Sequence, residues 1–567
     1  MEDLQIAYRS VKEIGLLTGP PQVQDVAGFD KPQGMLRAMK YSPDGRLFAW
    51  ASNDAVHILD VAKNQTVQVL PRAGVVELDF SPQGTYLLTW ERFVKPPEGP
   101  LPKNTLIWAT ATGEQLGAFT RKLQSSWTFQ WSYNEQYCAI LATNEVHFFD
   151  PTRLDRGVHL RLQLEGVSTF AFSPGRSPAV AVFVPARKSQ PGHVRLYAVG
   201  QFRQPLAQKT FFKADTAQLI WNSLGTNLLV LCSTDMDSTG KSYYGETNLY
   251  YLTITGNFDC HVVLDKEGPI HDVAWNPDPD AKEFAVVYGY MPAKAALFDR
   301  RANRIHDFGT APRNFVQFNP QGRLVAIAGF GNLTGQTDIW DLKTRTKLVT
   351  LDCSNSTTCA WAPSGRHLMT ATLSPRLRVD NGIKVWHHTG SLLFHRPIHE
   401  LYQTTWRPLP VQRFPDRSAL SPPPRGITVE SKTPTRPAVA AGAYRPPHAR
   451  GTPTPASFRR DDENQRANGG ATSASPAVAA APPVYKAGTQ ARYIPGAAPP
   501  PGASSTPGEN AVSNRLRTVT RQLKQIETLK QRQNEGATLE PEQIVKIQKE
   551  ANLRAELQTL KSSKNQA

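Results

Sequence analysis

One short pattern recurs nine times along this chain: an apolar residue, any residue, an aromatic, then a small or polar residue, usually followed by Pro and Gly. The copies are MKYSPDG (39–45), LDFSPQG (78–84), FQWSYNE (129–135), FAFSPGR (170–176), LIWNSLG (219–225), VAWNPDP (273–279), VQFNPQG (316–322), CAWAPSG (359–365) and a truncated TTWRP (404–408). Measured at the residue after the aromatic, the spacings are 39, 51, 41, 49, 54, 43, 43 and 45. Each copy reads as a strand running into a tight turn, because Pro presets φ at the first central position and Gly completes the reversal.

A second apolar strand follows each of the first eight copies, with its own turn. Examples are VHILDVAKN from Val56, LIWATATGEQL from Leu106, VHFFDPT from Val146 and DIWDLKTRTKL from Asp338. Repeats of about 40–45 residues, with four short strands each and a Trp-Asp-like dipeptide, are the signature of a WD-type β-propeller blade. The chain is therefore expected to be all-β, with nine blades over residues 1–430. Nine first strands against eight third strands leave the ninth blade short. The unused apolar segments LQIAYRS and VKEIGLL (4–17) are the candidates to complete it. Closure of that kind removes the open sheet edges of a linear array. Two smaller propellers are the alternative, and the even spacing argues against them.

Composition changes after residue 430. Residues 1–430 hold 44 Lys/Arg against 38 Asp/Glu, whereas residues 431–567 hold 20 against 10, so the last quarter carries most of the net charge of +16. Residues 431–511, with 14 prolines and many alanines, are expected to be a disordered basic linker. From 512 to 562, Leu516, Val519, Leu523, Ile526 and Leu529, then Ile547, Ala551, Leu553, Leu557 and Leu560, follow helical spacing. Two amphipathic helices are expected there, the second beginning near Pro541. A basic excess favours polyanions, nucleic acid foremost.

Motifs of catalysis are missing from the sequence: it holds no GxxxxGK[ST] phosphate loop and no GxSxG elbow. GFGNLTG (329–335) is glycine-rich but lies between two strands, so a hairpin needing positive φ explains it better than a phosphate site. His387, His388, His395 and His399 gather near the last full blade without Cys or carboxylate at ligand spacing, and read as packing or surface residues. No enzyme activity, cofactor or metal is expected. Five scattered cysteines without a CxxC pair read as reduced thiols, and with no apolar run near 18 residues and no secretory leader pattern the expected location is cytoplasmic.

Longer strings carry a resemblance. FFKADTAQLIWN (211–222), STDMDSTGKSYYGETNLYYL (233–252), VYGYMPAKAALF (287–298), GFGNLTGQTDIWD (329–341) and ATLSPRLRVDNGIKVWHHTGS (371–391) resemble the eukaryotic translation initiation factor 2A family, as do AYRPP (443–447) and the C-terminal helices. The resemblance implies a monomeric, GTP-independent factor. Its implied partners are the small ribosomal subunit, initiator methionyl-tRNA, mRNA and other initiation factors, with no membrane. The competing reading is a WD scaffold for a protein complex without a direct RNA role. Candidate RNA or ribosome contacts are Arg376 and Arg378 in PRLRVDNG, where strand alternation aims both the same way, or where each forms a salt bridge to a neighbouring blade. Tyr444, Arg445 and Arg450, with Arg492 and Tyr493, pair an aromatic with guanidinium groups in the linker, unless these are ordinary linker residues. Arg521 and Lys524 lie on the basic face of the first C-terminal helix.

Overall fold

The computed structural model describes residues 3–187, 190–212, 214–234 and 245–427, together with Ile526, Glu550 and Arg554. The aromatic-ending repeats become nine strands: Ala38–Tyr41, Val75–Phe80, Gln130–Trp131, Thr169–Phe172, Thr216–Trp221, Ile270–Trp275, Phe315–Phe318, Thr358–Trp361 and Leu401–Trp406. Each is an edge strand of its own antiparallel sheet, and eight of the nine sheets are four-stranded meanders. We number the blades from Ala38. The ninth pairs Leu401–Trp406 with Gln5–Ser10, and Gln5–Ser10 with Ile14–Thr18. This is a nine-bladed propeller. The linker expected over 431–511 lies outside the described residues. Of the helical pair expected over 512–562, only Ile526, Glu550 and Arg554 are described, each helical, with Arg554 paired to Glu550 one turn earlier at 2.8 Å.

The residue after each aromatic explains why the repeat tolerates Ser and Asn. Ser42, Ser81, Ser132, Asn222 and Asn319 are buried. Each accepts, through its side-chain oxygen, the backbone N–H five residues on: Leu47 at 2.9 Å, Tyr86 at 2.9 Å, Tyr137 at 3.0 Å, Asn227 at 3.0 Å and Leu324 at 2.8 Å. A short polar side chain thus satisfies a buried donor inside the turn. The acidic residue closing the third strand does the same at the next turn. Asp60, Asp150, Asp299 and Asp341 accept backbone N–H groups from Ala62, Thr152, Arg301 and Lys343 at 2.8–3.0 Å. These aspartates are turn caps.

The apolar cores lie between sheets, not within them. Ala38, Ile58 and Leu70 of blade 1 pack on Leu78, Leu87 and Trp108 of blade 2, and the same arrangement repeats at all nine interfaces. Second strands such as Ala179–Val184 and Leu324–Ala328 are sandwiched on both faces and wholly buried. Tryptophan adds a directional link at four interfaces. The Nε1–H of Trp221, Trp275, Trp361 and Trp406 donates to the carbonyl of Ala171, Ile220, Gln317 and Ala360 on the preceding blade, at 2.8–3.2 Å.

The ninth interface joins the two ends of the ring. Ala7, Ile14 and Leu16 pack against Met39, Tyr41 and Phe48 of blade 1. The Gln403 amide donates to Met39 O at 2.8 Å, Tyr41 donates its hydroxyl to Gln5 at 2.7 Å, and Arg407 Nε donates to Gly45 O at 2.7 Å. In blade 8 the ring of His367 meets His387 edge-on at 5.5 Å, and His387 and His388 lie 4.1 Å apart. Burial, reinforced by the neighbouring histidines and Arg366, depresses His367 to about 3 and His387 to about 4.

Two kinds of prediction arise here, the first from the packing. Deleting residues 3–18 unpairs the edge of Leu401–Trp406 and uncovers the apolar face of blade 1 at Met39, Tyr41 and Phe48, and the protein should aggregate; a soluble, cooperatively melting deletion variant contradicts closure by these strands. Trp406→Phe, which removes the Nε1 donor and shrinks a ring buried in the core between blades 8 and 9, should destabilise by more than the about 1 kcal/mol of the hydrogen bond alone, read in denaturant melts. The histidines set the second. A His whose folded value lies below its unfolded value of about 6.5 stays neutral while the unfolded chain takes up a proton, so stability is complete above about pH 6.5 and falls toward pH 4. His367→Gln should flatten that fall by up to about 1.4 kcal/mol per pH unit, read as the difference between the two melting profiles.

Candidate nucleic-acid interface

An up-and-down blade has two unlike faces. Turns joining first to second and third to fourth strands emerge on one, the turn face. Loops joining second to third strands, and the crossings between blades, emerge on the other, the loop face. The turn face is occupied by bonds that hold the ring. Arg46 Nη2 donates to Gln83 O at 3.3 Å, Gln83 N to Glu135 at 2.7 Å, Asn276 Nδ2 to Gly322 O at 3.0 Å, and Asn319 Nδ2 to Gly365 O at 3.2 Å. Gly365 sits at φ 67°, and a Cβ there would lie 1.7 Å from Gln321 Oε1, so the approach of turn on turn requires glycine.

The segment after blade 9 covers part of the same face. Gln321 Nε2 donates to Phe414 O at 3.0 Å, Arg323 pairs with Asp341 and Asp416, Ser391 donates to Pro424 O at 2.9 Å, and Ile427 N reaches Leu392 O at 2.7 Å. This strap over blades 7 and 8 was not readable from the repeat, which ends at Pro408.

Among the described residues, the loop face carries the second-to-third-strand connections 92–104 and 373–381. Arg376 and Arg378 lie on it, but not as expected. Residues 374–376 form a turn, not a strand, because Ser374 N bonds to Leu401 O at 2.7 Å and Leu377 N folds back to Leu373 O at 3.2 Å. Alternation therefore does not apply: Arg376 is half-buried and Arg378 exposed. Tyr444, Arg445, Arg450, Arg492, Tyr493, Arg521 and Lys524 lie outside the described residues. GFGNLTG is a hairpin loop: Asn314 exchanges bonds of 2.9 Å with Phe330 N and O, and a Cβ on Gly335 would meet Cys353 O at 2.6 Å.

Blade 2 holds a basic platform that sequence reading missed. Its loop 92–104 and its crossing 120–128 are tied together by buried Asn104, whose Nδ2 donates to Glu91 O at 2.8 Å and Arg121 O at 2.9 Å and whose Oδ1 accepts Arg121 N at 2.8 Å. Thr120 Oγ1 donates to Pro102 O at 2.9 Å. Arg121 turns inward to Ser126 O at 2.9 Å, and burial lowers its pKa. Arg72 neutralises Glu91 through a two-pronged pair. Arg92, Lys95, Lys103 and Lys122 are exposed, and none forms an ion pair with a described residue.

Comparisons with known proteins agree with this architecture. A family profile described as "Eukaryotic translation initiation factor eIF2A" matches residues 209–404. The chain is 43% identical to eukaryotic translation initiation factor 2A of Schizosaccharomyces pombe across 98% of both chains. It is 34% identical to the Drosophila melanogaster protein of the same name, across 93% of both. A crystal structure of a eukaryotic initiation factor, 44% identical, superposes with a TM-score of 0.67 over 72% of this chain and all of that one. With its nine-bladed ring and a similarity to these relatives that runs nearly end to end, the chain belongs to the eukaryotic translation initiation factor 2A family.

Proposed function

We propose that this translation initiation factor binds the small ribosomal subunit and promotes GTP-independent, codon-dependent delivery of initiator methionyl-tRNA on a subset of mRNAs. The observation that carries the reading is similarity to factors of that name along nearly the whole chain, tail included. It acts by binding, as a cytoplasmic monomer, with mRNA and other initiation factors as further partners. Among the described residues no helix is long and apolar enough to cross a membrane.

The chain divides the work between two parts. The propeller, residues 1–430, is nearly balanced in charge and supplies contacts fixed in shape. The region from 431 holds twice as many basic as acidic residues and supplies sequence-tolerant RNA affinity through its linker (431–511) and helices (512–562). Tyr444, Arg445, Arg450, Arg492, Tyr493, Arg521 and Lys524 are the tail residues proposed to meet RNA, with Arg378 and Arg376 adding contacts from the propeller.

A salt titration of RNA binding by the full chain and by residues 1–430 tests this division. Removing 431–567 should weaken binding and flatten its salt dependence, because fewer counterions are released. Superimposable curves would show that the tail is only a tether. Sedimentation with purified small subunits tests the partner: the full chain should co-sediment, more strongly with initiator tRNA and a start codon present. A chain that binds neither RNA nor subunit would instead be a protein scaffold.

A further inference from the structure

We infer that the loop platform of blade 2 binds the sugar–phosphate backbone of RNA through Arg92, Lys95, Lys103 and Lys122. This rests on the reading of the protein as an RNA-binding initiation factor and assigns a contact surface to its propeller. The four cations stand exposed on two segments of the loop face. Few acids stand beside them, Glu77 accepting a hydrogen bond from Gln124 Nε2 at the crossing. Glu91 is held by Arg72, leaving Glu98 as the single other carboxylate on residues 91–104 and 120–128.

Hydrogen bonds join the two segments at their base. Asn104, 2% exposed, binds both segments, and Trp90 Nε1 donates to the same Arg121 carbonyl at 3.2 Å. Pro96, Pro97, Pro100 and Pro102 restrict the loop between its first and last cations. Exposed cations without a bidentate pocket recognise phosphates along a strand and not base edges, so the contact is sequence-tolerant. The chain's own tail is a poor occupant, since it has the same sign of charge. Exposed Val94, Leu101 and Leu123 lie on the same segments, so an acidic protein with an apolar anchor is the competing occupant that the test must separate.

The experiment uses the full chain carrying Arg92→Gln, Lys95→Gln, Lys103→Gln and Lys122→Gln. The probe is an unstructured RNA oligonucleotide with 4-thiouridine substitutions, titrated at several salt concentrations. Each lost phosphate contact should flatten the slope of log affinity against log salt by about 0.7. Photo-cross-links to peptides spanning 92–103 and 122 in the native chain should disappear in the variant, at an unchanged melting temperature. If the variant melts lower, the pair Lys95→Gln and Lys122→Gln, whose side chains bond to no described residue, repeats the test at half the size.

An unchanged slope with cross-links confined to other peptides overturns the inference. So does loss of small-subunit association in Val94→Ser/Leu123→Ser when the charge variant binds RNA normally, because that pattern assigns the platform to a protein. If the native chain still co-sediments with small subunits in either case, the proposed function stands and only this surface is wrong.

Discussion

Everything in this molecule depends on one pairing, between Leu401–Trp406 and Gln5–Ser10, residues some 400 positions apart. Because the apolar cores lie between blades, no blade can bury both faces without two neighbours. A linear stack of nine would leave a core-forming face exposed at each end. Closing so long a chain carries an entropic penalty, but that penalty grows only with the logarithm of loop length. The two interfaces completed by closure, 8–9 and 9–1, each bury a core of the usual size. The bonds from Gln403 to Met39, Thr404 to Ala7 and Arg407 to Gly45 then fix the register.

Closure also makes the two faces unequal. Turn residues on one side bond to the next blade, and the strap from Val411 to Ile427 covers blades 7 and 8 there. On the other side loops such as 92–104 project, and blade 2 presents four exposed cations. A surface occupied by internal bonds is a poor place for a partner, because each contact would have to replace one already made. On the loop face, Arg92, Lys95, Lys103 and Lys122 are exposed and form no ion pair with a described residue.

The sequence announces the ring and hides the surface. The aromatic-Ser/Asn-Pro-Gly strings are legible because a strand end and a tight turn recur nine times, with a buried polar cap in five of them. Leu4–Leu17 was recognisable by subtraction, since blade 9 lacked strands. The blade 2 platform had no such signal. Arg92, Lys103 and Lys122 are separated by up to 30 positions, and it is Asn104, an unremarkable residue in the string, that brings their segments together. Arg376 shows the opposite failure. Its motif stood out, but the alternation assumed for it belongs to strands, and a backbone bond from Ser374 to Leu401 makes it a turn. Low-complexity sequence after 430 gives composition and helical periodicity without geometry.

The central claim is that this propeller meets the small ribosomal subunit with its loop face and keeps its turn face for itself. Hydrogen exchange of the full chain, free and bound to purified small subunits, tests it most directly. The account predicts new protection in residues 92–104, 120–126 and 373–381, with exchange in the turns at 42–46, 319–323 and 362–366 unchanged. Protection gained in those turns, with the loops exchanging as in the free protein, would contradict it.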